Sequence, residues 1–294
     1  EAKNIMSVPD ALQTVSGIYK SQAAQGGIQL RGFTSEDILV LIDGMSLNTA
    51  YGNAVEWEML PIENNERIEV VKGAGSSLYG GRAVAGVINI ITKDNNKEKG
   101  AKVNAVLNYG SNATWKKAIY TDVKANEKLS FGVGYENTKT DGIKSYQYTA
   151  SRSSKSPSGK ITPDNDIPRL KGGKYLLGDR GEKEWENENI TANVKYNFDD
   201  NKSLKYTFRH SESESRYKNP NTTVVINGKP SFFEGKLGVG GNYYVTSSID
   251  SYLGYENRKE YDMHTLSYND DESKLAVNIG YLDMKKNGYS QPNG

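Results

Sequence analysis

The sequence predicts a compact α+β domain followed by antiparallel strands of a transmembrane β-barrel, and three observations carry that prediction. Residues 1–93 mix a short helical signal with hairpin and strand signals, whereas beyond 94 apolar residues recur at every second position in several segments. The joins between those later segments alternate between brief and long. No apolar run approaches the ~18 residues of a membrane helix, so any crossing of a membrane falls to strands.

Composition narrows the function classes. The chain has 294 residues, with 37 Lys+Arg against 36 Asp+Glu, so its charge asks for no nucleic acid or acidic polymer as partner. Cysteine is absent, which excludes disulfide frameworks and thiolate metal sites. Twenty tyrosines, six phenylalanines and 30 glycines, with a mean hydropathy of −0.70, describe amphipathic aromatics rather than one large apolar core. Glu1 is followed by no basic and then apolar leader pattern, and the start reads as an internal cut.

In chain order, Val8 to Val15, opened by Pro9 and Asp10, reads as a short helix. Ile38 to Ile42 runs into Asp43-Gly44 and then Met45 to Leu47, a hairpin whose tight turn needs positive φ. Arg67 to Val71 and Gly86 to Thr92 supply two more strands. Between them, Gly75 to Arg82 mimics a phosphate loop but lacks the Lys-Ser/Thr pair that reaches phosphate and magnesium. It reads as a tight turn, with a hinge as the alternative.

Beyond Asp94 the period is two. Leu129, Phe131, Val133 and Tyr135 alternate with Ser130, Gly132, Gly134 and Glu136, and the rule repeats through Ile190 to Phe198, Leu204 to Phe208 and Leu275 to Tyr281. Strands are expected at 101–109, 116–124, 129–138, 189–198, 203–211, 260–268 and 273–283, those at 116–124 and 260–268 alternating poorly. After a first join from Gly110 to Trp115, the connections 125–128, 199–202 and 269–272 are short turns. The stretches 139–188 and 212–259 are loops of about fifty residues each, far beyond an ordinary connection. Short turns on one rim and long loops on the other suit an outer-membrane barrel better than a soluble sandwich. Seven strands cannot close a single-chain bacterial barrel, whose strand count is even.

The motifs Gly26 to Phe33, Ile38 to Gly44, Glu66 to Gly73, Ser77 to Gly80 and Gly86 to Thr92 resemble, in order and spacing, the plug of TonB-dependent outer-membrane receptors, most closely the siderophore and colicin receptor branch. The resemblance covers about residues 5–93. It implies a plug domain over 1–93, lacking its N-terminal start, and over 94–294 the first part of a transmembrane barrel of about 22 strands, the size class with a filled lumen. It further implies an outer-membrane seat, an energy-coupling box for TonB upstream of what is present, further strands downstream, and hence a fragment.

The same resemblance implies an active transporter, not an enzyme, with a ferric siderophore as cargo and no cofactor. Haem and cobalamin are the rivals within the class, and a passive barrel or adhesin the rival outside it. The plug apex holds no histidine, which lowers haem. Outer-membrane lipid, and colicins or phage at the external loops, complete the implied partners.

Candidate ligand residues lie at the apex: Asn48, Thr49, Tyr51, Asn53 and Trp57 after the hairpin, with Thr34, Ser35 and Gln25 on neighbouring turns. The aromatics would stack on a siderophore rim and the amides would donate hydrogen bonds; packing of Tyr51 and Trp57 against the barrel wall is the alternative. Trp115 and Trp185 fall in expected external loops. Arg31 and Lys72 occupy the family's latch positions, where arginines pair with acids on the barrel wall. Lysine at 72, and Ala74 in place of the usual proline, imply a looser latch, and an internal salt bridge is the alternative. His210 and His264 lack any metal-ligand spacing.

Overall fold

The computed structural model describes residues 5–20, 27–49, 55–57, 60–73, 75, 79, 82–93, 99–144, 147–153, 159–241 and 243–290. Helix α1, Val8–Leu12, starts as expected but is shorter: Ser7 caps it by accepting the Asp10 N–H at 3.3 Å, with proline in the first turn. Strands β1 (Ile18–Lys20) and β2 (Ile28–Leu30) pair antiparallel.

The N-terminal domain is built on a four-stranded sheet of order β4-β3-β6-β5. Its members are β3 (Ile38–Ile42), β4 (Met45–Ser46), β5 (Asn65–Lys72) and β6 (Gly86–Thr92). β3 and β6 run parallel, and all five residues of β3 are buried, which is why it reads as an unbroken apolar run rather than an alternating one. The β3–β4 turn has Asp43 at φ 48° and Gly44 at φ 82°, as a two-residue hairpin turn requires.

The second part is a seven-stranded antiparallel meander in the order β20-β19-β13-β12-β9-β8-β7. Its strands are β7 (Gly100–Gly110), β8 (Thr114–Lys124), β9 (Leu129–Thr140), β12 (Glu182–Asn197), β13 (Lys202–Lys218), β19 (Glu256–Asp270) and β20 (Leu275–Ser290). All seven sequence-expected strands are present. One face carries Phe131, Val133, Ile190, Val194, Tyr206, Leu266 and Ile279, all exposed. The outward row from Ile190 to Phe198 is about 26 Å long at ~3.3 Å per residue, or roughly 20 Å along the membrane normal at a ~40° tilt, close to the ~25 Å apolar band of such barrels.

The poor alternation of two strands has a cause on the other face. Tyr261 and Met263 of β19 point inward and join one buried cluster with Leu12, Ile38, Val40, Trp57, Ile88 and Ile90 of the N-terminal domain. On β8 the inward row contains Lys116 and Tyr120, both buried. An inner face packed against a domain, rather than water, does not have to be polar.

The long connections are shorter than expected and are folded. β12 and β13 run well past the apolar band as a polar ladder, pairing Glu184 with Arg216 and Asn187 with Ser213. Outside lipid both faces of a strand are wet, so the period-two hydropathy vanishes while the backbone ladder continues. Trp115 and Trp185 consequently sit in β8 and β12 rather than in loops, and Trp115 packs on Tyr109 at 4.6 Å. The described residues of the stretches 141–181 and 219–255 fold together. β10 (Gln147–Ser151), β11 (Lys174–Asp179) and β14 (Asn221–Thr222) form one sheet. The pairs β15 (Val225–Ile226) with β16 (Lys229–Pro230) and β17 (Gly235–Gly238) with β18 (Tyr244–Ser247), and helix α2 (Ile249–Leu253), complete the unit. Its core contains Leu177, Val224, Leu237, Val245 and Tyr252.

Candidate functional site

Two regions matter: the apex of the N-terminal domain and its seam with the strand wall. At the apex, Asn48 is buried and its amide braces β3, accepting the Val40 N–H at 2.8 Å and donating to the Ile38 carbonyl at 2.9 Å. These bonds account for Asn48 as a brace rather than as a donor to cargo. Trp57 is 1 % exposed and belongs to the core shared with Tyr261 and Met263, the wall-packing alternative to ligand stacking. Its Nε1 finds no acceptor among the described residues.

Thr34 is exposed; its backbone N–H and hydroxyl donate to Asp37 Oδ2 at 3.3 and 3.2 Å, capping the 3-10 turn Ser35–Asp37. Ser35, half-buried, begins that turn. Thr49 is half-buried and, with Leu47 and Leu60, lines a cavity of ≈ 20 Å³ closed on the wall side by Tyr261, Leu282 and Met284, room for about one water. Gln25, Tyr51 and Asn53 lie outside the described residues.

The seam is ionic. Asp43 Oδ2 lies 3.3 Å from Arg209 Nη2 on β13 and accepts the Thr92 hydroxyl at 2.8 Å, while Asp43 Oδ1 accepts the Thr92 N–H at 2.9 Å. Glu56 pairs with Lys259 on β19. Lys116 Nζ on β8 lies 3.1 Å from Glu63, 3.4 Å from Glu136 of β9, and 3.0 Å from the Met6 carbonyl. The pairing thus sets acids of the N-terminal domain against cations of the wall.

The latch expected of Arg31 and Lys72 is not among these pairs. Lys72 Nζ donates to the Ser16 carbonyl within its own domain at 2.6 Å. Arg31 is exposed, with φ 52° and its N–H on the Gly17 carbonyl. Neither reaches a wall carboxylate among the described residues. Sequence reasoning missed Lys116, Arg209 and Lys259; only for Arg209 does a clean apolar outward row, Leu204, Tyr206 and Phe208, mark the inward register in the sequence.

Shape adds to charge at the β3–β4 turn. The Met45 side chain fills the space beside Gly280 of β20, where a Cβ would come within 2.2 Å of its sulfur. At α1, burial alone would raise the Asp10 carboxyl; the Lys20 ammonium at 2.9 Å, the Ser7 hydroxyl and the Met6 N–H outweigh it and hold the group below the usual 3.8.

The family model for the TonB-dependent receptor plug domain matches residues 1–87. The N-terminal domain is thus a plug domain of the TonB-dependent receptor family. The vitamin B12 transporter BtuB of Vibrio vulnificus is 36 % identical over 151 residues, 49 % of this chain and 24 % of the relative. BtuB of Photobacterium profundum is 38 % identical over 108 residues, 36 % of this chain and 17 % of the relative. Among solved structures, the ferric enterobactin receptor PfeA of Pseudomonas aeruginosa superposes with a TM-score of 0.58 at 17 % identity, over 94 % of this chain and 38 % of that one. The copper transporter OprC gives 0.61 at 16 % identity, over 94 % of this chain and 35 % of that one. These structural matches show the plug-and-barrel fold. The chain thus spans well under half the length of the relatives it matches.

Proposed function

We propose that this chain is the plug and first wall of an active transporter driven by TonB, with a ferric siderophore as its cargo. The observation that carries the reading is the seam: a folded plug held inside an apolar-backed strand wall by ion pairs that can be broken and remade without covalent chemistry. Cargo binds between the folded external unit and the plug apex, where Gln25, Thr34, Ser35, Thr49, Tyr51 and Asn53 are the proposed contacts, with Trp57 packed beneath them. Asn48 supports that surface from beneath. Arg31 and Lys72 keep their proposed latch role toward wall residues beyond these seven strands. TonB engages a coupling box upstream, and plug rearrangement lowers cargo affinity on the periplasmic side. No enzymatic step is required.

A second cargo has its own support. The curated relatives named above are vitamin B12 transporters, at 36 % and 38 % identity, which favours cobalamin over haem. The two readings separate in an uptake assay on cells carrying the complete receptor, offered ferric catecholates, ferric hydroxamates, haem and cobalamin with and without an uncoupler. Uncoupler-sensitive uptake of a ferric chelate supports the first reading, and of cobalamin the second. Uptake of none, or uptake indifferent to the uncoupler, overturns the transporter reading.

A further inference from the structure

The outward face of the strand wall is apolar up to a border and charged above it. On β8 the exposed apolar row ends at Ile119. The next outward residue, about 7 Å further along the strand at ~3.3 Å per residue, is Lys117, also exposed. Trp115 follows on the same face and lies 4.6 Å from Tyr109 of β7, both rings open to the outside. An indole and a phenol at such a border are ordinary for a membrane wall. A lysine set between them and the apolar row needs a counter-charge.

The neighbouring outward cations have theirs within the chain. Lys139 of β9 pairs with Glu186 at 2.9 Å, Lys286 with Glu260 at 3.1 Å, Lys285 with Asp262 and Arg258 with Glu212. Lys117 forms no ion pair among the described residues, and the register sets the uncharged Leu107 and Asn137 at its sides. Glu186 lies within electrostatic range of Lys117, but its two oxygens are already taken by the Lys139 ammonium and by the Asn137 amide at 3.0 Å.

We propose that Lys117, with the Trp115–Tyr109 shelf above it, binds the phosphate of an outer-leaflet lipid headgroup. The inference rests on reading the seven strands as outer-membrane wall with their long connections outside. A lipid is the occupant because the row beneath the lysine, Leu107, Ile119 and Val133, is exposed and apolar and offers acyl chains a surface continuous with the site. The lysine stem runs up along that row and carries its ammonium to headgroup level. There the phosphate accepts a hydrogen bond with charge on both partners, and the two rings, apolar in body and polar at one edge, pack against the rest of the headgroup.

The test titrates the complete receptor in uncharged detergent micelles with a short-chain phosphatidic acid, with the matching diacylglycerol, which lacks the phosphate, and with inorganic phosphate, bound lipid being read by native mass spectrometry. Phosphatidic acid is expected to bind more tightly than diacylglycerol and to resist displacement by inorganic phosphate. Lys117→Gln should weaken phosphatidic acid about fivefold, the share of one cation at an anionic membrane surface, and leave diacylglycerol unchanged. Lys286→Gln, whose lysine is already paired with Glu260, should change binding by less than about twofold. No loss in Lys117→Gln, or losses of equal size in the two variants, overturn the proposal. Displacement by inorganic phosphate assigns the site to the free ion and overturns it as a lipid site. Fractionation of the receptor, followed in parallel, separates the two levels of argument. Recovery outside the outer-membrane fraction sinks the wall reading itself, whereas recovery within it alongside unselective lipid binding sinks the Lys117 site alone.

Discussion

Replacing Gly280 by alanine sets a Cβ 2.2 Å from the Met45 sulfur and 2.6 Å from its Cγ, against an ordinary contact of about 3.5–4 Å. The side chain must therefore move by more than about 1 Å, and overpacking of this kind costs about 1–3 kcal/mol. Methionine is flexible enough to absorb part of the clash, which places the expected cost in the lower half, about 1–2 kcal/mol. In a Met45→Ala background both clashing atoms are gone, so the same Gly280→Ala change should cost close to nothing. The coupling is then the whole of that 1–2 kcal/mol, roughly a five- to thirtyfold change in the opening equilibrium. Hydrogen exchange of the amides of residues 38–47 in the complete receptor reads that equilibrium. If Gly280→Ala speeds exchange by the same factor with Met45 present and in the Met45→Ala background, the contact does not hold the turn and the reasoning fails.

Four further outcomes follow from the same contacts. Asn48→Ala strands the Val40 N–H and the Ile38 carbonyl and should destabilise the plug sheet by about 2–4 kcal/mol, visible as faster exchange in β3. Trp57→Ala removes a fully buried ring from the shared core and should cost about 3–5 kcal/mol; a plug that stays protected from protease in this variant would contradict that placement. Tyr51→Ala should weaken cargo binding at least about tenfold with barrel assembly intact, and an unchanged titration curve would remove Tyr51 from the proposed apex. Because the folded Asp10 carboxyl lies below 3.8, its contribution to α1 is present above 3.8 and is lost as pH falls through the lower folded value. Protease nicking near α1 should accordingly rise in acid, and Lys20→Met should shift the onset to higher pH.

Much of the fold was legible because it is written in local periods. The alternation from Leu129 to Glu136 announces β9 by itself, and Asp43-Gly44 announces the β3–β4 turn because few residue pairs tolerate two positive φ values in succession. The external unit was not legible: Leu177, Val224 and Val245 form its core from short strands spread over two separate connections, with no periodic run to mark them. Nor was the work of Asn48, whose bonds to Ile38 and Val40 depend on the hairpin having closed.

The sequence by itself determined that strands carry one lipid-facing row and that a glycine-punctuated α+β domain precedes them, since burial in lipid and turn geometry act on neighbouring residues. Only the tertiary structure decided which charges meet across the seam. Asp43 and Arg209 are 166 residues apart, and a shift of one residue in the register of β13 would turn that arginine to the lipid face. Such a pairing is fixed by the sum of all the strand ladders and the seating of the plug, not by any stretch of chain that can be read alone.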